Sequence, residues 1–349
     1  MTISARILSV GTATPPQSYT QDEVLAWAQE SDPRVRRLFR NSHIERRYLD
    51  LPEHVKGRPK SETPKELTGR HLKNALGTGP QAIEQALQPL GLAASELSFL
   101  VCMTSTGFLC PSLSAHLVRA MSLRENIQRL DIVGMGCNAA VNGMQAATGI
   151  ARARPGEVGV LVCVEVCSAA YAMDDEVSTA VVNSLFGDGA AAVVIRADEG
   201  DGKGDAPAVV DFEPYILTDA IDAMKYRYSG ERLAFYLAKD IPFVIGRHSN
   251  IPVDRLLSRN HLQRGDIAHW LVHSGGKKVI DAICGRLELS EDDVRHTRSV
   301  LEEYGNVSSC SVLFSYSKLV SEGCARPGDV GLLMAMGPGT SIEAALLKW

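Results

Sequence analysis

Short apolar runs recur along the chain, and segments with apolar residues at helical spacing separate them. The runs with strand character are LSFLVCMTS, RLDIVGM, VGVLVCVEV, AAAVVIRA, HWLVHS and VGLLMAMG. Several are apolar at consecutive positions, which is typical of strands that helices cover on both faces. Segments such as GPQAIEQALQPLG and KKVIDAICGRLEL have helical character. This alternation predicts an α/β protein.

One segment interrupts the alternation. RADEGDGKGDAPAV, residues 196–209, is rich in Gly and Asp and predicts an exposed crossing between two halves, residues 1–200 and 201–349. Each half contains apolar strands that end in a Gly-bearing turn before a helix. The pattern is consistent with a duplicated αβ unit.

The composition is that of an ordinary globular protein. Of 349 residues, 45% are apolar and 22% are charged, which is enough to bury a large core. A net charge of −5 with scattered basic residues argues against nucleic-acid binding. No run reaches the ~18–20 apolar residues of a transmembrane helix, and the opening run ISARILSVGTA predicts a strand rather than a signal peptide. We therefore expect a cytoplasmic protein that binds no membrane.

The eight cysteines predict reduced thiols, because they form no CxxC pair and mostly lie in apolar surroundings. Neither a zinc site nor a disulfide framework is expected. Cys137 differs from the others by its position in DIVGMGCNAAVNGMQAATG, between an apolar strand and a helical segment. A thiolate at the start of a helix is stabilised by the helix dipole and free N–H groups. The alternative is a buried, unreactive cysteine, the more frequent kind.

Two further polar residues, like Cys137, lie just before predicted helical segments. His273 ends an apolar strand in HWLVHSGGKKVIDAI, where α/β folds assemble their sites. His269 comes before that strand and is interpreted as a surface or capping residue. Asn306, in EEYGNVSSCSVLF, precedes a helix and can donate a neutral hydrogen bond, although Asn beside Gly is also a common turn residue.

Cys, His and Asn together suit acyl-thioester chemistry. The thiolate accepts an acyl group, and two neutral donors stabilise an oxyanion or an enolate. Loss of CO2 from a malonyl thioester leaves a carbanion that delocalises into the thioester oxygen. This chemistry requires neither a metal nor a redox cofactor.

Several sequence blocks resemble one family over essentially the whole chain. They are IERRYL at 44–49, the cysteine at 137, LFGDGAAAVV at 185–194, WLVHSGG at 270–276, EYGNVSS at 303–309 and MGPGTSIEAAL at 336–346. The chain resembles the type III polyketide synthases, the chalcone synthase-like branch of the thiolase superfamily. The resemblance implies a thiolase-like duplicated αβαβα layered fold, with the nucleophile in half 1–200 and the His and Asn in half 201–349.

A narrower resemblance is carried by TSTGFL, DIVGMGCNA, CSAAYA, TAVVNSLFGDG, HSGGKKVID, DVRHT and the tryptophan at 349. These blocks are similar to the bacterial 3,5-dihydroxyphenylacetyl-CoA synthases of antibiotic biosynthesis. Such enzymes condense malonyl-CoA units, cyclise a tetraketide by carbon–carbon bond formation and need no cofactor besides coenzyme A thioester substrates. A pyrone or a resorcinol product remains an alternative, because one or two cavity residues redirect cyclisation.

The family also implies site residues. Cys137, His273 and Asn306 match the catalytic set. Phe186 and Phe235 match two aromatic gatekeepers between the coenzyme A tunnel and the cavity. The remaining implied substrate-binding residues are Arg34 and Arg37 near the coenzyme A phosphates, Tyr226 as an added ring in the cavity, and Thr104, Glu165, Cys167, Ala170, Ser308, Gly337 and Gly339. The loop GFLCP, 107–111, matches one that lines the cavity of a second subunit, which implies a homodimer.

Three other functions share catalytic residues, the fold or acyl-CoA binding with this family. A ketoacyl synthase III-like enzyme would take an acyl carrier protein, and the RRY and GPG blocks speak against it. A thiolase or hydroxymethylglutaryl-CoA synthase would need a different second catalytic set. A non-catalytic acyl-CoA-binding scaffold would have no need for the thiol.

Overall fold

The computed structural model describes residues 3–171, 177–199, 206–229 and 232–349. Its strands are β1 (Ile3–Ala13), β2 (Ser18–Thr20), β3 (Arg46–Tyr48), β4 (His54–Val55), β5 (Arg58–Pro59), β6 (Phe99–Met103), β7 (Gln128–Ile132), β8 (Val158–Glu165), β9 (Gly189–Glu199), β10 (Ala208–Ile216), β11 (Met224–Ser229), β12 (Arg232–Leu237), β13 (His269–Val272), β14 (Val330–Gly337) and β15 (Ser341–Lys348). Its helices are α1 (Gln21–Ala28), α2 (Pro33–Arg40), α3 (Pro64–Leu87), α4 (Leu113–Ala120), α5 (Ala139–Ala153), α6 (Val177–Leu185), α7 (Ile241–His248), α8 (Asn250–Arg259), α9 (Lys277–Leu287), α10 (Arg295–Tyr304) and α11 (Ser311–Glu322).

The strand pairing repeats itself. In the first half, β1, β9, β8 and β6 are neighbours in that order, with two antiparallel pairs followed by a parallel one, and β7 extends the sheet. In the second half, β10, β15, β14 and β13 follow the same pattern. Among the described residues, one residue pair, Arg6 with Ala208, joins the two sets. The predicted duplication is confirmed.

Five layers result from this duplication. The helices α5 and α11 form the middle layer and pack against the inner faces of both strand sets. The outer face of the first set packs against α3 and α4, and that of the second against α7, α8 and α9. Apolar strands covered on both faces explain the consecutive apolar runs. The αβαβα arrangement expected from the resemblance is therefore confirmed.

Helix α5 is suited to the middle layer by its small side chains. Ala139, Ala140, Ala147 and Ala151 are fully or almost fully buried. Small residues on several faces of one helix let two sheets approach it closely. Because both sheets depend on it, the segment that follows Cys137 is tightly held.

Several local expectations differ from the structure. Helix α3 begins at Pro64, well before the apolar pattern, because Thr63 and Glu66 form a capping box. The interpretation of His269 as a surface residue is wrong: it opens β13, is buried, and its Nε2 lies 2.8 Å from the Asp329 carboxylate. The predicted crossing at 196–209 is partly taken up by β9 and β10, and its central residues, 200–205, lie outside the described residues.

The hairpin of β11 and β12 pairs only with itself in the described part of the chain. It contributes Tyr226 and Phe235, which are directly opposite each other in the hairpin. No helix within the described ranges combines the length and apolar character needed to cross a membrane.

Candidate active site

Cys137 lies in a tight turn, Gly136–Asn138, immediately before α5. Gly136 has φ of +68°, and a Cβ there would meet the ring of Pro338 at 2.3 Å. A Cβ on Gly337 would lie 2.2 Å from Asn138 Oδ1. The loop that follows β14 therefore packs directly against the turn that carries the thiol, and glycine at both positions permits this contact.

The same loop contacts the hairpin. Gly339, with φ of +74°, donates its backbone N–H to the Met224 carbonyl at 2.9 Å. Gly337 and Gly339 thus connect the thiol turn with the hairpin that carries Tyr226 and Phe235. The geometry gives these glycines a supporting position around the cavity.

His273 directly follows β13 and is 2% exposed. Its Nδ1 is buried and finds no hydrogen-bond partner among the described residues. A buried N–H without an acceptor is rarer than an unused acceptor, so this environment favours the tautomer with the proton on Nε2. Burial lowers the pKa of His273 to about 3, and the imidazole is therefore neutral at ordinary pH.

Asn306 is oriented by its own neighbourhood. Its backbone N–H donates to the Leu185 carbonyl at 2.8 Å, and its Oδ1 accepts from the Ser308 N–H at 2.9 Å and from the Ser311 hydroxyl at 3.4 Å. Since the oxygen is occupied by donors, the amide Nδ2 is the group left to donate elsewhere.

These three residues meet at one cavity. Cys137, His273 and Asn306 line it together with apolar side chains that include Phe186 and Phe235. The thiol and two neutral N–H donors thus face a shared space, although they come from three separate segments. In an apolar cavity each hydrogen bond to a developing negative charge is stronger than it would be in water.

The protonation of the thiol is opposite to the expectation from its helix. Burial raises the pKa of Cys137 to about 12, although the Ser308 hydroxyl, 3.5 Å from Sγ, counteracts the rise. A helix N-terminus contributes only ~0.3–1 kcal/mol at a surface site, so desolvation dominates. Burial therefore affects the pKa of this thiol more than the start of the helix does.

Glu165 lies at the end of β8 and is 1% exposed. Its carboxylate accepts from the Ser105 N–H at 3.0 Å and from the Ser309 and Ser308 hydroxyls at 2.6 and 3.3 Å. These described partners are hydroxyl and amide donors rather than a basic side chain, so the alternative of a structural ion pair is not observed. Ser308 connects this carboxylate with the thiol.

Aromatic rings divide the space around the thiol. Phe186 and Phe235 make an edge-to-face contact with centroids 5.6 Å apart, and Phe235 and Tyr226 make another at 5.2 Å. All three rings also line a second space beside Cys137, together with Cys167 and Ala170.

A larger chamber, of about 350 Å³, shares Tyr226 and Ala170 with this space and includes Thr104 in its wall. The predicted cavity residues Tyr226, Cys167, Ala170 and Thr104 therefore each line one or both of these neighbouring spaces. The Tyr226 ring lines both of them.

Arg34 and Arg37 lie apart from this group, on the exposed side of α2. The Arg34 guanidinium is paired with Asp32 at 2.7 Å. In the described part of the chain, neither arginine lines the spaces around Cys137.

Arg47 was not singled out from the sequence. It is fully buried, and its guanidinium donates to the Tyr171 hydroxyl and to the carbonyls of Asn183 and Phe186 at 2.6–2.8 Å. It thereby fixes the backbone at Phe186. The block IERRYL was the only signal, because a buried arginine has no local pattern.

Comparisons with known proteins agree with this geometry. Profiles described as "Chalcone and stilbene synthases" match the chain, the N-terminal domain over residues 2–199 and the C-terminal domain over 213–349. The 3,5-dihydroxyphenylacetyl-CoA synthase of Amycolatopsis balhimycina is 49% identical over 352 residues, covering 100% of this chain and 94% of that protein. That of Amycolatopsis orientalis is 50% identical over 352 residues, with coverage of 100% and 95%.

A solved structure shows the same fold. The crystal structure of 1,3,6,8-tetrahydroxynaphthalene synthase from Streptomyces coelicolor A3(2), a bacterial type III polyketide synthase, has a TM-score of 0.90 at 25% identity and covers 99% of each chain. The similarity extends over both halves, from β1 to β15. The chain therefore belongs to the chalcone and stilbene synthase family and is a type III polyketide synthase.

Proposed function

We propose that this synthase condenses malonyl-CoA units on Cys137 and cyclises a tetraketide to 3,5-dihydroxyphenylacetyl-CoA. The observation that carries the proposal is the meeting of Cys137, His273 and Asn306 at one apolar cavity. Relatives that are 49% and 50% identical over the whole chain bear the name of that product. The reaction as proposed uses coenzyme A thioesters as substrates and no further cofactor, because the thioester carbonyl itself accepts the electron pair.

Loading begins with attack of the Cys137 sulfur on the carbonyl of a thioester. A sulfur–carbon bond to the enzyme forms, the bond to the sulfur of coenzyme A breaks, and the thiol proton passes to the departing coenzyme A. The Nε2–H of His273 and the Nδ2–H of Asn306 donate to the carbonyl oxygen while it bears negative charge. Both groups are neutral, so they can act without a change of protonation.

Extension uses the same two donors on a second substrate. The bond between the carboxylate and the α-carbon of malonyl-CoA breaks, CO2 leaves, and the electron pair moves into the thioester as an enolate. The α-carbon then attacks the acyl group on Cys137, and the sulfur–carbon bond to the enzyme breaks with its electron pair on sulfur, which takes up a proton from solvent to regenerate the thiol. The lengthened chain remains on coenzyme A, and the freed cysteine can accept it again.

Tyr226 restricts the starter in this proposal. Its ring packs on Phe235 and lines the spaces on both sides. Tyr226→Gly should broaden acceptance to aromatic starters, because removing the ring would join the space around Cys137 to the larger chamber. Competition between malonyl-CoA and a bulky aryl-CoA measures this, with Tyr226→Phe as the matched control that retains the ring. An unchanged starter profile in Tyr226→Gly would contradict the assignment.

The product is tested with malonyl-CoA alone. The purified protein is incubated with this single substrate, and the products are identified by mass spectrometry against authentic standards. A dihydroxyphenylacetyl thioester supports the proposed function. A pyrone or a resorcinol keeps the family and overturns the product, and a protein that leaves malonyl-CoA intact overturns the substrate.

We also propose that the protein is a homodimer. Phe108, in the loop 107–111, is 75% exposed, and Val133, just beyond the edge strand β7, is 57% exposed. An edge strand beside large exposed apolar residues favours burial against a second copy. Light scattering should give the mass of two chains, and Phe108→Asp with Val133→Asp should shift it towards one; a monomeric wild type would contradict the proposal.

A further inference from the structure

His71, on α3, is a buried histidine that the reaction described above does not use. It is 1% exposed and lines the larger chamber with Thr104 and Thr106. Its Nε2 lies 3.0 Å from the Thr104 hydroxyl and 3.2 Å from the Thr106 hydroxyl. Its Nδ1 is buried without a hydrogen-bond partner among the described residues. A buried polar atom without a partner costs free energy, so its presence calls for an explanation.

The surroundings of the two ring nitrogens determine which nitrogen of His71 carries the proton. Nδ1 has no acceptor among the described residues, and a buried N–H without an acceptor is rarer than an unused acceptor nitrogen. Nε2, which lies within reach of two hydroxyl oxygens, is therefore the donor. The Thr106 oxygen also accepts from the Val166 N–H at 2.9 Å. Burial lowers the pKa of His71 to about 4, so this neutral tautomer persists at ordinary pH.

This assignment orients the hydroxyl of Thr104. Thr104 accepts the Nε2–H of His71, so its own proton must point elsewhere. Its other described hydrogen-bond partner is the Thr106 oxygen at 3.5 Å, which already accepts from Val166 and His71. A hydroxyl oxygen has two acceptor lone pairs. The Thr104 proton is thus left for a group in the chamber that Thr104 lines.

The polar groups around His71 lie next to those around the nucleophile. Glu165 accepts from Ser308, whose hydroxyl lies 3.5 Å from the sulfur of Cys137. Val166, whose N–H donates to Thr106, is the next residue after Glu165, so the two groups of polar residues meet where β8 ends. A polyketide attached at Cys137 that extends past Tyr226 would present its ketone oxygens to Thr104.

We propose that His71 is a positioning residue that holds the Thr104 hydroxyl as a donor to a ketone oxygen of the growing chain, and thereby favours carbon–carbon ring closure over lactone formation. A donor on a ketone oxygen increases its reactivity towards a carbon nucleophile. This inference rests on the proposed function, because it concerns the cyclisation of the same polyketide. The bonds that form and break at Cys137 are unaffected by it.

The test uses two replacements that differ in one donor. In His71→Gln, the side-chain amide nitrogen can replace Nε2 as a donor, whereas His71→Leu fills similar space without one. With malonyl-CoA as substrate, His71→Leu should lower the ratio of carbocyclic to lactone products about tenfold, the effect of roughly one hydrogen bond, with coenzyme A release nearly unchanged. His71→Gln should restore the wild-type ratio.

Thr104→Val provides the second arm. It should lower the ratio of carbocyclic to lactone products about as much as His71→Leu does, and the double variant should show no additional fall in that ratio, because the two residues act through one donor. An unchanged product ratio in His71→Leu overturns the inference, and so does an additive double variant. A parallel fall in coenzyme A release and melting temperature would assign His71 a structural role and also overturn it.

The products of the wild-type protein distinguish failure of the proposed function from failure of this inference. A wild type that forms a different carbocycle overturns the product, while the ratio in the His71 variants still decides the inference. A wild type that forms only lactones overturns both.

Discussion

Replacing Cys137 with alanine is expected to reduce coenzyme A release from malonyl-CoA by about 10⁴-fold or more, as for the loss of other enzymatic nucleophiles. The residue carries the acyl group, and no donor in the cavity can substitute for a covalent carrier. Alanine is smaller than cysteine and fits the turn before α5, so the protein should fold with only a modest loss of packing. The release of coenzyme A is measured with a thiol reagent, and folding by circular dichroism.

Cys167 offers a matched control, because its buried thiol lines the same space as Cys137. Cys167→Ala removes an equivalent group from the wall and should retain chain extension. Equal activity losses in the two variants would contradict a special role for Cys137. Substantial extension by Cys137→Ala would overturn the covalent mechanism.

Replacing Asn306 with aspartate should lower decarboxylation of malonyl-CoA by about 10²–10³-fold, the usual loss when one oxyanion donor is removed. The shape of the side chain is preserved, but an acceptor or a negative charge replaces the Nδ2 donor beside the developing enolate. The release of CO2 measures this step. Transfer of an acetyl group from acetyl-CoA to Cys137, detected by intact mass, should be much less affected if the thiol is undisturbed.

His273 allows the donor function to be separated from the ring. His273→Gln can retain a donor near the position of Nε2 and should lose less decarboxylation than His273→Ala. Because the pKa of His273 is lowered to about 3, its imidazole is already neutral at neutral pH, and the wild-type rate should show no titration of this group between pH 6 and 8.

For Asn306, a decarboxylation rate in Asn306→Asp close to that of wild type would disprove the assignment of its amide as a donor.

The backbone position of Cys137 could be predicted from the sequence, whereas the pKa of its thiol could not. An apolar strand, glycines and a helical segment around Cys137 indicate a strand-to-helix turn, and these are local signals. The pKa depends on what covers the thiol, and those atoms come from Ser308 and from the hairpin, far away in the sequence. Desolvation is a property of the assembled cavity, so no local pattern contains it.

The strands could be recognised where both faces are buried, as in β6, β8 and β14. The strands β10 and β15 were not singled out, because β10 has only one buried position, Val209, and β15 contains the acidic residue Glu343. His71 was missed for a related reason: its neighbours Thr104 and Thr106 are brought to it only by packing of α3 on the first strand set. Long-range contacts of this kind leave no periodic signal.

The isolated hairpin has a consequence for how this enzyme can be diversified. Its two strands hydrogen-bond to each other and to no other described strand, yet they carry Tyr226 and Phe235 into the walls around the thiol. Cys137 and Asn306 instead border the middle layer, where a substitution disturbs both strand sets. Mutational libraries confined to the hairpin should therefore alter substrate range while retaining turnover, which makes this small element the natural place for directed evolution.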